Sequence, residues 1–96
     1  MTSYQVLLSE PARDFLRRLA PTPKRTLRQA LKALEEDPSL GEPLERELSG
    51  LYKLSVKRYR IIYRIVEGRK EIQVIAIGPR KTIYLDLWEL LRLSQE

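Results

Sequence analysis

Lys53, Arg60, Arg80 and Tyr84 carry the side chains best suited to reactive chemistry in this 96-residue sequence. Lys53 and Ser55 alternate with Tyr52, Leu54 and Val56, and Arg60 and Arg64 alternate with Tyr59, Ile61, Tyr63 and Ile65. This period of two places Lys53, Ser55, Arg60 and Arg64 on the same side of adjacent strands, where like charges repel unless an anion lies between them. Arg80 falls at the end of the next strand, and Tyr84 follows at the start of a helix. A group of Lys and Arg with one Tyr and no carboxylate suits a phosphodiester. In metal-free RNA cleavage the 2′-hydroxyl loses a proton as it attacks phosphorus, charge builds on the non-bridging oxygens, and the 5′-oxygen departs. A lysine crowded by cations can act as the base, and arginines hold the phosphate with paired donors that do not titrate. Lys53 is therefore the candidate base, and Arg60 and Arg80 the candidate clamp. Tyr84 can stack on a displaced base, or simply fill a gap between helix and sheet.

Composition narrows the chemistry further. There is no Cys and no His, so thiolate nucleophiles, disulfides and imidazole proton transfer are excluded, along with the two commonest soft metal ligands. The acidic stretch Glu35, Glu36, Asp37, Glu42, Glu45, Glu47 matches no metal-ligand spacing and reads as a solvated loop, so no metal and no cofactor is expected. From Lys53 to Lys81 nine cations face only Glu67 and Glu71, giving +7; the chain's net charge is +5, so the remainder carries −2. Two readings stand: a polyanionic partner, or a solvated charged sheet face. Lys57, Arg58, Arg64 and Lys81 would supply general RNA-binding charge around the candidate catalytic group. The chain shows no apolar run long enough for a membrane span and no secretory leader, so a cytoplasmic location is expected.

These side chains need elements to position them, and 96 residues imply one domain spanning 1–96. Tyr4 to Leu8 reads as a first strand. Ser9, then Glu10 and Pro11, form a helix start, with Ala12, Phe15, Leu16 and Leu19 on one face and Arg13, Arg17 and Arg18 mostly outside it. Pro21 breaks this helix; Thr22 with Pro23 is the expected cap of a second one, which carries Leu27, Ala30, Leu31 and Leu34 and ends near Asp37-Pro38. Ser39 to Gly50 reads as a loop, with one irregular strand at most. Strands are expected at Leu51 to Val56, Tyr59 to Val66 and Glu71 to Gly78, the last apolar on both faces and hence central. A final helix covers Ile83 to Ser94, with Leu87, Trp88, Leu90 and Leu91 available for core packing or a partner's groove. The fold class is α+β: an N-terminal strand and helical hairpin on a mainly antiparallel twisted sheet, with a short C-terminal helix.

Tyr-Lys-Leu at 52–54, Tyr-Arg-Ile-Ile-Tyr-Arg-Ile at 59–65, Ile-Gly-Pro-Arg at 77–80 and Arg-Lys-Thr-Ile-Tyr at 80–84 resemble, in order and spacing, the landmarks of RelE/ParE toxins. The resemblance covers nearly the whole chain and is nearer to the RelE type. It implies the toxin of a type II toxin–antitoxin pair, with a cognate antitoxin encoded by the neighbouring gene. It also implies an endoribonuclease that cuts mRNA in the ribosomal A site. The RelE pattern of active-site cations falls on Lys53, Arg60 and Arg80, with its aromatic on Tyr84. Where RelE has a second lysine this chain has Ser55, and it lacks the catalytic histidine of some sibling toxins. The alternatives within the resemblance are a ParE-like DNA gyrase inhibitor and a toxin-derived protein that binds without cutting.

Overall fold

The structure is a computed structural model and describes residues 3–94; the side chains of Leu90, Leu91, Leu93 and Ser94, including the two expected to pack, lie outside that description. Five strands form one sheet: β1 (Gln5–Leu8), β2 (Glu42–Pro43), β3 (Tyr52–Val56), β4 (Tyr59–Val66) and β5 (Glu71–Pro79). Their order is β1-β5-β4-β3-β2, with β1 parallel to β5 and every other pair antiparallel. Helices α1 (Glu10–Arg18) and α2 (Pro21–Glu36) lie between β1 and the meander in sequence, and α3 (Ile83–Ser94) follows it. This is the expected α+β arrangement, except that the middle strand is β4; β5 is interior, between β1 and β4.

The helix boundaries follow from local chemistry. Ser9 caps α1, its Oγ accepting from the N–H of Ala12 at 3.2 Å and donating to the carbonyl of Ile75 at 2.7 Å, which ties the helix start to the sheet. The expected Thr22 cap is not formed. Ala20 occupies the cap position of α2 without a side-chain bond, and Pro21 and Pro23 both lie in the first turn, where a missing N–H costs nothing. The loop before β3 holds more order than its composition suggests: 3-10 turns at Pro38–Leu40 and Arg46–Leu48 flank β2.

Two apolar clusters cover the two faces of the sheet. On one, Ala12, Leu16, Leu27, Leu31 and Leu34 of the hairpin pack on Ile61, Tyr63, Ile72, Val74 and Ile77. On the other, Ile83 and Leu87 of α3 pack on Ile62 and Ala76. Each such fully buried side chain contributes about 1.5–3 kcal/mol relative to exposure. The switch between faces in β5 is made by a bulge: Ile62 opposes Ala76 but Tyr63 opposes Val74, leaving Ile75 as the extra residue. Beyond it, Ile77 rejoins the hairpin face and Gly78 falls on the α3 face, in line with Ala76.

Tyr63 fixes the position of β2. Its ring is fully buried and stacks on Tyr52 with centroids 5.5 Å apart, while its hydroxyl donates to the carbonyl of Pro38 at 2.7 Å and accepts from the N–H of Gly41 at 2.9 Å. Burial pushes its phenol above the usual tyrosine value, opposed by the Gly41 N–H. Gly41 tolerates no side chain there, since a Cβ would meet the Lys53 carbonyl oxygen at 2.8 Å. The loop is thereby clipped against the strand that carries Lys53.

Candidate active site

The strand register determines which cations meet. Lys53 pairs with Ile62 and Ser55 with Arg60, so Lys53 and Arg60 are diagonal neighbours across β3 and β4, with Cα atoms roughly 7–8 Å apart. Arg60 in turn opposes Gly78 on β5, and the Arg80 N–H continues that ladder by donating to the Arg58 carbonyl at 2.8 Å. Arg60 and Arg80 are thus also diagonal, and Lys53, Arg60 and Arg80 step across three adjacent strands. The residue opposite Arg60 has no side chain, and Ile83 of α3 closes over it, its Cδ1 3.1 Å from where a Cβ would stand.

The side chains divide this surface into parts. Arg60 is half-buried, and one of its terminal nitrogens, Nη1, donates to the carbonyls of Lys57 at 3.1 Å and Tyr59 at 2.8 Å. That anchors the guanidinium on the two-residue turn between β3 and β4. Its Nε and Nη2 make no hydrogen bond among the described residues and remain available to a phosphate. Lys57, Arg58, Arg80 and Lys81 line an open cleft of about 670 Å³ with Tyr59 and Pro79, at the end of the sheet. Four cations and no carboxylate enclose it, an arrangement that favours an anionic ligand.

Not every predicted residue joins these groups. Arg64 lies four residues along β4 from Arg60, about 13 Å away, and its guanidinium is held by Gln73 Oε1 at 2.6 and 3.2 Å. Tyr84 is half-buried against the cluster of Ile62, Ala76, Ile83 and Leu87, which fits the gap-filling role. Lys53, Arg60 and Tyr84 are all outside the cleft that contains Arg80. Two carboxylates approach the site that the sequence did not reveal. Glu42 of β2 pairs directly with Lys53, and Asp86 in the first turn of α3 puts Oδ2 3.9 Å from where a Gly78 Cβ would stand. Glu42 was hidden because a two-residue strand has no periodicity to read. Asp86 reads from sequence only as an acidic residue suited to a helix start. Among the described residues no three His, Cys, Asp or Glu side chains gather as a metal site, and no helix is long and apolar enough to cross a membrane.

Comparison with known proteins gives this geometry its context. Residues 6–84, which contain most of β1, both hairpin helices, the meander and all four candidate catalytic residues, match the ParE toxin of the type II toxin–antitoxin system parDE. The chain belongs to that toxin family. Within the wider RelE/ParE superfamily it is 36% identical over 45 residues to Toxin RelE of Mycobacterium tuberculosis, a match spanning 47% of this chain and 46% of that protein, so about half of the relative's length. The toxin–antitoxin complex RelBE2 of the same organism has a structure similar to this one, with a TM-score of 0.76 and 28% identity, covering 81% of this chain and 99% of that one. The Escherichia coli RelBE toxin–antitoxin complex shares the fold at a TM-score of 0.70 and 24% identity, covering 80% of this chain and 96% of that one.

Proposed function

We propose that this toxin is a metal-independent endoribonuclease that cleaves mRNA in the ribosomal A site, acting in the cytoplasm as one domain spanning residues 1–96. The observation that carries the reading is the diagonal step of Lys53, Arg60 and Arg80 across β3, β4 and the end of β5. Lys53 takes the proton of the ribose 2′-hydroxyl as that oxygen forms a bond to phosphorus. The free donors of Arg60 and the guanidinium of Arg80 bind the non-bridging oxygens, where charge develops, and stabilise the 5′-oxygen as its bond to phosphorus breaks. The cleft cations Lys57, Arg58 and Lys81 hold neighbouring phosphates. The part of the Tyr84 ring that the α3 cluster leaves exposed is the surface on which a base displaced from the mRNA stacks.

Two of the similar solved structures are toxin–antitoxin complexes, which supports a cognate antitoxin from the neighbouring gene as this chain's inhibitor. A second reading, inhibition of DNA gyrase, has two observations in its favour: the match to the ParE toxin, and Ser55 where RelE has a lysine. Pulse labelling after induction without an antitoxin separates the two. Incorporation of amino acids should stop within minutes while plasmid supercoiling is maintained; continued protein synthesis with loss of supercoiling would establish the gyrase reading instead.

A further inference from the structure

At the end of β3 and β4 away from their shared turn, an open cavity of about 430 Å³ lies between the segment that follows α2 and the turn that follows β4. Tyr4, Tyr52, Pro38 and Pro43 give it apolar and aromatic walls, and its charged residues are Asp37 and Glu67. No Lys or Arg lines it, in a chain of net charge +5. The negative end of the α2 dipole adds to the field, because the last turn of that helix carries Glu35 and Glu36 and no base.

Each carboxylate is held through one oxygen and has the other to spare. Asp37 Oδ1 accepts from the N–H and the hydroxyl of Ser39 at 3.1 and 2.6 Å, and Glu67 Oε1 accepts from the Tyr4 hydroxyl at 2.7 Å. Asp37 Oδ2 and Glu67 Oε2 have no hydrogen-bond partner among the described residues. The frame around them is fixed. Tyr52 is stacked on the buried Tyr63, whose hydroxyl also holds the Pro38 carbonyl and the Gly41 N–H. The Tyr4 ring already carries one cation, Lys70 Nζ at 5.3 Å from its centroid, although Lys70 does not line the cavity.

An anion is repelled here, and among the described residues no three acidic side chains converge to hold a metal ion. The complement is a cation on an apolar stem: methylenes lie against tyrosine and proline while the ammonium meets a free oxygen or a ring face. Two carboxylates on two separate segments call for two such heads. We propose that this cavity binds a small aliphatic polyamine, with one ammonium at Asp37 and another at Glu67. The proposal does not rest on the ribonuclease reading, because binding is measured without RNA and at residues that reading does not use.

The test titrates the full chain with spermidine, using calorimetry for affinity and amide shifts for location. Saturable shifts are expected at Tyr4, Ser39, Tyr52 and Glu67. Asp37→Asn with Glu67→Gln should weaken binding by about 10-fold or more, the scale of losing charge-assisted hydrogen bonds, and butylamine, with a single ammonium, should bind the parent more weakly by a similar factor. Both amides keep an acceptor oxygen for Ser39 and Tyr4, and circular dichroism checks folding. If the double variant does not fold, the shift map and the butylamine comparison on the parent still decide. Equal spermidine binding by the double variant, equal binding of butylamine, or shifts confined to residues outside the cavity overturns the proposal. So does displacement of spermidine by an equal concentration of magnesium chloride, which shows acidic charge alone at work. A lysine-containing peptide that binds the cavity more tightly than spermidine would make the occupant a protein side chain and overturn it as well.

Discussion

At the scale of single residues, Arg80 and Tyr63 do opposite kinds of work. Arg80 is exposed, and its link to the fold is its backbone N–H on the Arg58 carbonyl, which any residue but proline retains. Arg80→Ala should therefore melt with the parent yet slow cleavage by roughly 100-fold or more, the scale of losing one preorganised donor. Arg80→Lys should recover only part of that rate, because an ammonium keeps the charge without the planar fork. Single-turnover kinetics with thermal melts checks both. Tyr63 is structural: Tyr63→Phe keeps the ring but strands the Gly41 N–H and the Pro38 carbonyl, and should cost about 1–3 kcal/mol in denaturant unfolding. The pH dependence has a definite sign. The phenol is raised in the folded protein, so its contribution is complete below the unfolded value of about 10 and disappears as pH rises through the higher folded value. The parent should lose stability in that alkaline window more steeply than Tyr63→Phe.

Among the elements, the β3–β4 turn places a cation in the cleft at some cost to the backbone. Lys57 adopts a left-handed conformation, φ 55°, that glycine accepts more readily, and it lines the cationic cleft. Lys57→Gly should raise unfolding stability by up to about 1 kcal/mol while lowering affinity for single-stranded RNA. Its removal should also reduce the slope of log affinity against log salt by about 0.7, one phosphate contact. The strands and helices themselves were readable because their apolar residues repeat at periods of two or of three to four: Tyr59–Val66 and Ile83–Ser94 have the bounds their patterns predict. So was the shared face of Lys53, Ser55 and Arg60, since face follows from alternation. What lay beyond the pattern was pairing at a distance. The Glu42–Lys53 register, the bulge at Ile75 and the seating of the Arg60 guanidinium on the turn all depend on contacts between segments, and local periodicity does not encode them. The α2 cap differed because proline in the first turn sets the helix start without a hydroxyl acceptor.

For the molecule as a whole, cations stand on two different surfaces. Lys57, Arg58, Arg80 and Lys81 line the cleft at the end of the sheet, Arg13, Arg17, Lys24 and Arg28 stand on the helical hairpin, and the acidic residues between 35 and 47 lie in the segment that joins the two in sequence. Membership in a toxin family limits the targets to be distinguished to two, mRNA held on the ribosome and DNA gyrase. The most direct measurement combines purified toxin with ribosomes programmed with a defined mRNA, maps the cut by primer extension, and runs gyrase supercoiling in parallel. A metal-independent ribonuclease of the proposed kind should give a cut within the A-site codon that needs the ribosome and leaves a 2′,3′-cyclic phosphate, with gyrase unaffected. Intact mRNA on programmed ribosomes, together with inhibited supercoiling, would contradict it.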